Sequence, residues 1–403
     1  MKILCVLSRY AYGNPDRGEN YDYVHFVPAF KRLGHEVDFL DSGDRSLHSD
    51  FADLNISLLR RVAEFQPDII FLVPMHFEIW LETLDLIRAR SPARIVSWGT
   101  DDSWKFRQVS RFFVPHVDLH VTTDPAAEEA ARRSGMQNVF LSQWAASDDA
   151  LAEPRPAREC RYDISFVGTM YGYRAEWIAM LRKAGIDVQC FGHGTEHGVV
   201  DARDVPRIFR DSRIVLNFSG SGQAAQGPNF MSGRQIKARN FEVSGAGGFL
   251  LTETAAGLDR YYRLGDEIAT FSTPAEMIAR ARHFLDHPEE RDAITRAGYL
   301  RTRTEHTYAR RFTAILDRLE PAKEGRAWTL SEGALDLLAK RHRDLRWISW
   351  VRSLLVAALV PVFGGRRGPR AARRLLYEVF WRIKGAATFS AGGWPGRLFY
   401  SES

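Results

Sequence analysis

Length, composition and charge limit the classes of protein that this chain can represent. It has 403 residues, of which 45% are hydrophobic and 26% charged, and a formal net charge of +5. That length suffices for two domains and an extension, and the apolar content is ordinary for a globular protein. The three cysteines, Cys5, Cys160 and Cys190, lie far apart, so neither a disulfide framework nor a cysteine-bound zinc site is expected.

The positive charge is concentrated at the end of the chain. Residues 321–403 carry 15 Lys and Arg against 6 Asp and Glu, a balance of +9, whereas residues 1–320 carry 40 against 44, a balance of −4. The charge therefore does not predict a nucleic-acid-binding surface over the whole protein. The first apolar run is too short for a signal peptide, so we expect a cytoplasmic protein.

Short apolar segments alternate with helical patterns through residues 1–151. Because parallel strands need helical crossovers between them, this alternation predicts an N-terminal Rossmann-like domain with a doubly wound sheet. Helices are expected at 21–33, 54–65 and 79–91. The predicted strands are Ile3–Leu7, His35–Leu40, Asp68–Val73, Arg94–Trp98, Val117–Thr122 and Asn138–Leu141.

A second alternating series follows a segment rich in proline and arginine. We interpret residues 152–161 as a linker and residues 162–320 as a second Rossmann-like domain. Helices are predicted at 274–285 and 289–312. The predicted strands begin at Tyr162 and continue with Val188–Gly192, Arg213–Phe218, Phe249–Thr252 and Ile268–Phe271.

Residues 233–253 carry the most specific chemistry in the sequence. A helix-like run with Lys237, Arg239 and Glu242 ends in small residues at 244–248 and leads into an apolar strand. The diphosphate of a nucleotide sugar needs cations and backbone N–H groups, which the two basic residues and a helix N-terminus supply. Its ribose needs an acceptor of two hydrogen bonds, for which Glu242 is suited. The small residues would let the backbone approach the ligand.

The same pattern also fits a surface helix with paired charges and a glycine cap. Neighbouring motifs favour the binding interpretation. The segment resembles the donor-binding signature of GT-B glycosyltransferases of the group-1 type, in particular the spore-maturation-type branch. The residues that carry the resemblance are Phe241-Glu242, Ser244 to Gly248 and Phe249 to Leu251, together with Asp163 to Arg174, Arg213 to Phe218 and His306 to Phe312.

The resemblance implies two Rossmann-like domains facing a cleft, the second of which holds a UDP- or GDP-type sugar as donor substrate. It also implies that no metal is required, because such enzymes neutralise the leaving diphosphate with side chains and helix dipoles. One position departs from the pattern: Arg234 stands where many retaining members carry a second glutamate. The stereochemistry therefore stays open, and Arg234 becomes a candidate contact for the diphosphate or the transferred sugar.

Ligands of open α/β sheets lie beyond the carboxyl ends of the strands. This rule adds Gly168, Arg174 and His193 to the candidate donor contacts, together with the loop 219–227. An arginine on a helix face is the alternative for Arg174, and a solvated loop residue is the alternative for His193.

The first domain is expected to hold the acceptor. An acceptor hydroxyl loses a proton as it attacks, so direct displacement needs a positioned base. The candidates at the carboxyl edge of the predicted sheet are His76, Asp101, Asp102 and Glu19. A packed loop position is the alternative for His76, and a helix N-cap is the alternative for both aspartates.

The tail, residues 321–403, is predicted to be helical. Its apolar run from Trp347 to Phe363 is short and contains Arg352 and Pro361, so it does not read as a membrane span. Basic residues flank the next helix, which is typical of a helix lying on anionic lipid, and residues 345–400 are the candidate contact with such a surface. Packing across the first domain is the alternative. The apolar face is predicted to contain Leu376, Val379, Phe380 and Ile383.

We therefore interpret the chain as a glycosyltransferase that acts on a glycan or lipid-linked acceptor at the inner face of the cytoplasmic membrane. Two alternatives keep the same fold: a non-catalytic, membrane-associated scaffold and a nucleotide-sugar epimerase. A dinucleotide oxidoreductase is disfavoured, because the turn after the first strand, 8–13, lacks the G-x-G-x-x-G pattern.

Overall fold

The computed structural model describes residues 1–220, 233–319, 329, 333–344 and 348–403. Within these ranges the chain divides into a first unit, residues 1–141 with 315–403, and a second unit, residues 142–314. Residues 152–161, the predicted linker, are part of the second unit, and Ala157–Glu159 forms a single 3₁₀ turn there.

A parallel sheet forms the centre of the first unit. Its strands are β1 (Lys2–Leu7), β2 (Glu36–Asp41), β3 (Ile69–Leu72), β4 (Arg94–Gly99), β5 (Leu119–Thr122) and β6 (Val139–Leu141). They lie in the order β2-β1-β3-β4-β5-β6, and each neighbouring pair is parallel. Residues 3–7 and 69–72 are buried throughout, because helices cover both faces of such a sheet.

The helices of this unit follow its strands in alternation. The helix α2 shows the local causes most clearly: the Asp50 side chain accepts a hydrogen bond from Asp53 N at 2.8 Å, and Leu54, Leu58 and Val62 turn one apolar face to the core. The helices up to residue 141 are α1 (Tyr21–Arg32), α2 (Phe51–Phe65), α3 (Leu81–Arg90), α4 (Asp102–Lys105), α5 (Arg111–Phe113) and α6 (Pro125–Arg133).

The second unit has its own parallel sheet. The strands are β7 (Tyr162–Val167), β8 (Gln189–Phe191), β9 (Ser212–Asn217), β10 (Leu250–Glu253) and β11 (Ala269–Phe271), in the order β11-β10-β9-β7-β8. The helices are α7 (Arg174–Lys183), α8 (Val205–Arg210), α9 (Arg239–Gly245), α10 (Pro274–Asp286), α11 (Pro288–Glu305) and α12 (Tyr308–Leu316). The predicted helix over 289–312 is thus two helices, which meet at His306. Two doubly wound sheets confirm the predicted fold class.

The described part of the tail folds onto the first unit. Tyr377, Trp381 and Phe389 belong to the apolar cluster of that unit, and the Tyr377 hydroxyl donates to Gln108 O at 3.0 Å. The tail helices are α13 (Gly333–Asp344), α14 (Ser349–Lys384) and α15 (Trp394–Leu398), while Trp347 lies outside the described residues.

The helix α14 is broken at Gly364, where φ is 79° and ψ is 165°. A Cβ on Gly368 would lie only 2.8 Å from Val360 Cα. Eight residues of straight helix span about 12 Å, so this approach requires the chain to turn back on itself. The limbs 349–363 and 365–384 therefore form a helical hairpin. No single helix in the described ranges meets the length and apolarity of a membrane span; α13 taken with Ser349–Phe389, bent by 51°, does so by length and composition only.

Candidate functional site

The strand order of the second unit reverses between β7 and β9, which is where open α/β sheets form a binding crevice. The loops that follow these two strands are joined to each other. The Tyr171 hydroxyl donates to Gly220 O at 3.1 Å, and Gly220 N donates to the Tyr173 hydroxyl at 3.2 Å. The structure thus places a tyrosine-lined edge at the position that the fold favours for a ligand.

A buried carboxylate, Glu253, anchors this edge. Its side chain is 0% exposed, and it accepts hydrogen bonds from Ser219 N at 2.9 Å and from the Tyr173 hydroxyl. Burial, and then the neighbouring Glu253, raise the pKa of Tyr173, so the phenol remains a donor at neutral pH. The sequence interpretation missed Glu253 because the predicted strand ended at Thr252.

Arg234 pairs with Glu253, Nη2 to Oε1 at 2.8 Å, and its side chain is 11% exposed. It also donates to Thr254 Oγ1 at 3.2 Å and to Ser272 O at 2.8 Å. The guanidinium predicted to contact the diphosphate or the transferred sugar is thus engaged within the protein here. Arg234 also forms an isolated bridge with Gly220. Residues 221–227 of the predicted loop lie outside the described ranges.

Arg174 lies at the same edge of the second sheet, next to Tyr171. Its guanidinium stacks on the Tyr171 ring at 3.9 Å and donates to Thr169 O at 2.9 Å and to the Tyr171 hydroxyl at 2.8 Å. It is buried and is the first residue of α7. Its contacts shape the loop after β7, and five N–H donors leave capacity for an anion.

Gly168 and His193 mark the neighbouring strand ends. Gly168 N donates to Phe191 O at 2.8 Å, and a Cβ on Gly192, where φ is +123°, would lie 2.2 Å from Gly168 O. His193 is exposed, and its backbone oxygen accepts from Met170 N at 2.9 Å. The structure brings the backbones of these residues together and leaves the imidazole at the surface.

The helix α9 begins at Arg239, so Lys237 precedes it instead of lying within it. The cause is Asn240, whose buried side chain accepts from Lys237 N at 3.1 Å and bonds to Asn217 Nδ2 at 3.1 Å. Arg239 and Glu242 pair with each other, Nη1 to Oε2 at 2.5 Å. The predicted phosphate and ribose contacts therefore lie side by side.

The small residues 244–248 serve packing and not ligand approach, which corrects the sequence interpretation. A Cβ on Gly245 would lie 2.5 Å from Ala146 Cβ, and one on Gly247, where φ is +75°, would lie 2.5 Å from Ala152 O. They stand at the end of α9 that leads into β10, and hence at the amino edge of the sheet. Ligands bind at the opposite edge.

In the first unit the strand order reverses between β1 and β3, and His76 follows β3. Its backbone N donates to Glu78 Oε2 at 2.8 Å, and its ring lies 5.6 Å from that of Tyr377 in the tail. Burial, and then the charges of Lys105 and Arg373, lower the pKa of His76 well below its usual value. The imidazole is therefore neutral at physiological pH.

Asp101 follows β4 and is partly exposed, 3.8 Å from Lys105 Nζ. A second carboxylate belongs to the same group: burial, and then the charge of Asp101, raise the pKa of Asp22 from 3.8 to about 7, against the opposing charge of Lys105. Asn20 Nδ2 donates to Asp22 at 3.4 Å. A carboxyl poised near neutral pH suits proton transfer. The sequence interpretation missed Asp22, which looks there like an ordinary acid in the first turn of α1.

Asp102 lies in the interior, with a side chain that is 0% exposed. It accepts from Ser110 Oγ at 2.5 Å and bonds to His120 Nε2 at 2.9 Å, while His120 Nδ1 bonds to Ser97 Oγ at 2.8 Å. Burial alone would raise the pKa of Asp102, but His120 and Ser110 outweigh burial and lower it. Asp102 is thus buried within a hydrogen-bonded network as the first residue of α4, and Asp101 holds the N-cap position without a side-chain cap bond.

Each of the two units contains a parallel doubly wound sheet with charged groups at its carboxyl edge, where such sheets bind ligands. Residues 174–317 match a family model described as glycosyl transferase-like. The search of curated proteins found no match.

Solved structures with the same architecture are similar over most of their length. HepE from Anabaena, in complex with UDP and glucose, has a TM-score of 0.58 and 11% identity, covering 79% of this chain and 100% of that one. A glycosyltransferase from Rickettsia africae has a TM-score of 0.52 and 10% identity, covering 78% and 97%. Sucrose-phosphate synthase from Thermosynechococcus elongatus has a TM-score of 0.52 and 10% identity, covering 79% and 98%.

The solved structures confirm the predicted GT-B fold, and residues 174–317 match a glycosyl transferase-like family model. They do not single out the spore-maturation-type branch. Among the described residues, no group of three or more His, Cys, Asp or Glu side chains could hold a metal ion.

Proposed function

We propose that this chain transfers a sugar from a UDP-type nucleotide sugar to a glycan or lipid-linked acceptor, without a required metal. The observation that carries the proposal is the group of cations and a carboxylate at the carboxyl edge of the second sheet, inside the region that matches the glycosyl transferase-like model. Lys237, Arg239 and Arg174 supply positive charge for a diphosphate, and Glu242 supplies an acceptor for a ribose diol. HepE, of the same fold, has been solved with UDP and glucose.

The Arg239–Glu242 pair supports this assignment. Arg239 holds the carboxylate in one orientation at 2.5 Å, and the Glu242 side chain is 12% exposed. A carboxylate oriented in advance loses little conformational entropy when a diol binds. Hydrogen bonds to a charged group contribute about 1.5–3 kcal/mol, so Glu242→Ala should weaken UDP binding about 10- to 100-fold.

The binding test uses calorimetric titration of the full chain with UDP, GDP and ADP, each in the presence of EDTA. Glu289→Ala is the matched control, since Glu289 is an exposed glutamate of the same unit in the first turn of α11. That helix turn lies at the amino edge of the sheet, where Arg291 contacts Ser212 O. Binding that is absent for all three nucleotides, or that both variants lose equally, would refute the donor site. Binding that appears only when Mg²⁺ replaces EDTA would refute metal independence.

For the acceptor we assign the proton-accepting role to the carboxylates Asp101 and Asp22, with Lys105 holding them together. His76, neutral beside them, is a hydrogen-bonding group for the acceptor hydroxyl. A positioned base contributes about 10²- to 10⁴-fold to the rate. Asp101→Asn and Asp22→Asn should therefore slow release of UDP from a UDP-sugar in the presence of acceptor, with unchanged UDP affinity. Conversion of the donor without any acceptor would instead identify an epimerase, and binding without turnover would identify a scaffold.

A further inference from the structure

The hairpin formed by the two limbs of α14 leaves large apolar side chains on the protein surface. Seven of them are between 46% and 72% exposed. A soluble surface rarely carries so many within one short segment, and such a patch marks an interaction site. On the first limb they are Trp350, Leu354, Val362 and Phe363, and on the second limb they are Leu375, Val379 and Ile383.

The exposed side chains form rows and are not scattered. Leu375, Val379 and Ile383 follow each other at intervals of four residues, which places them along one face of the second limb. Trp350 and Leu354 have the same spacing on the first limb. Other faces of the two limbs pack inside the protein, where Leu355 and Leu376 contact the cluster around Ile348 and Phe399. The side chains of these rows are therefore not the ones that pack the tail against the protein.

This arrangement corrects the apolar face predicted from the sequence. Phe380 stacks on Trp394 with ring centroids 5.8 Å apart, and Leu376 packs on the tail's own cluster. Only Val379 and Ile383 of the predicted face are exposed, and Leu375 joins them. The difference arises because Leu376 and Phe380 are taken up by contacts within the tail.

Positive charge surrounds the rows. Six exposed basic side chains lie on the turn and the second limb, while the acidic residue of α14, Glu378, bonds to Arg382 and to Trp381 Nε1. A second copy of this chain would bring the same positive surface against itself, which disfavours self-association through this face. The six basic residues are Arg366, Arg367, Arg370, Arg374, Arg382 and Lys384.

We propose that this hairpin docks the protein on the surface of an anionic lipid bilayer. The apolar rows enter the headgroup region, and the arginines contact lipid phosphates. The basis is the combination of basic and apolar character on one element, because either signal alone holds a protein only weakly on a membrane. Docking by a surface hairpin requires no membrane-spanning helix, and it is independent of the nucleotide site proposed above.

The test is flotation of the full chain with vesicles of phosphatidylcholine alone and of phosphatidylcholine mixed with phosphatidylglycerol. Leu375→Ser with Val379→Ser and Ile383→Ser should lower binding to the mixed vesicles at least about tenfold. The charge variant is Arg367→Gln with Arg370→Gln and Arg374→Gln. A basic residue near an anionic surface contributes about fivefold to binding, so the charge variant should lose about a hundredfold.

The matched control is Val199→Ser with Leu300→Ser, which removes exposed apolar side chains of the second unit, 61% and 46% exposed. It should bind like the parent. All variants are checked for unchanged thermal unfolding and UDP binding, so a failure of docking is separable from a failure of the donor site.

Four results would overturn the proposal. The first is no flotation with either vesicle, and the second is equal flotation with both. The third is flotation that the two hairpin variants retain. Concentration-dependent association in the absence of vesicles, lost in the Leu375, Val379 and Ile383 variant, would assign the face to a second copy and would also overturn it.

Discussion

Replacement of Arg234 by methionine tests the buried ion pair between Arg234 and Glu253 in the second unit. The change leaves Glu253, 0% exposed, without its counter-charge, while Ser219 N and the Tyr173 hydroxyl remain its hydrogen-bond donors. Removing one partner of a buried pair costs about 3–5 kcal/mol, because the other charge stays buried and uncompensated. Arg234 itself is 11% exposed, so we expect the lower limit, about 3 kcal/mol.

The length of the second unit determines how far this loss of stability lowers its unfolding temperature. For a unit of this length, 1 kcal/mol corresponds to about 2–4 °C, so Arg234→Met should lower its unfolding temperature by about 6–12 °C. The matched control is Arg303→Met, whose partner Glu153 lies at 3.6 Å with both side chains more than half exposed. An exposed pair contributes about 0–1 kcal/mol to stability, so the unfolding temperature of the control variant should hardly change.

The assay is thermal unfolding of the full chain, monitored by hydrogen exchange with mass spectrometry. Peptides from residues 142–314 then report on the unfolding of their own unit. Adding Glu253→Gln to Arg234→Met removes the uncompensated charge, so the double variant should lose less than the sum of the single losses, by about 1–3 kcal/mol. Equal losses in Arg234→Met and Arg303→Met, or strictly additive single losses, would contradict the reasoning.

Three further predictions concern other buried positions. Because the pKa of Asp22 rises from 3.8 to about 7 on folding, stability should fall as pH rises through that window, and Asp22→Asn should abolish this loss, about 4 kcal/mol, in unfolding measured against pH. Gly247→Ala, at φ +75° and facing a backbone oxygen at 2.5 Å, should cost about 2–3 kcal/mol in denaturant unfolding, whereas Gly185→Ala, at φ +80° with open space, should cost about 1. His120→Leu should cost about 3 kcal/mol by stranding Asp102, and Asp102→Asn in that background should recover part of it.

The sheets were largely predictable because their signal is local. A short apolar run between helical patterns identifies a buried parallel strand, and the strand predicted at Arg213–Phe218 is observed at Ser212–Asn217. The helix of the donor segment was placed too early for a tertiary reason. The Asn240 side chain accepts a hydrogen bond from Lys237 N and bonds to Asn217 of strand β9. Lys237 therefore stays outside the helix, which begins at Arg239.

The candidate site was only partly predictable, because its chemistry depends on contacts between distant segments. Glu253 is an ordinary strand-end residue until the fold brings Tyr173 and Arg234 to it. Asp22 resembles a helix-start acid until Asp101 arrives from the loop after β4. The glycines at 244–248 were interpreted as ligand contacts, because a pattern of small residues does not reveal which edge of the sheet it meets.

The pairing of Arg234 with Glu253 predicts that a glutamate at position 234 is unfavourable in this chain. A glutamate at position 234 would face the buried Glu253 carboxylate, and two carboxylates at such a distance cannot both ionise without a large rise in one pKa. Arg234→Glu, which restores the superfamily residue, should therefore destabilise the second unit more than Arg234→Met does. Adding Glu253→Gln should return most of that difference, measured by the same exchange assay. If Arg234→Glu instead destabilises the second unit no more than Arg234→Met does, neutralisation of Glu253 is not the reason for an arginine at this position. A contact between Arg234 and the ligand would then be the reason.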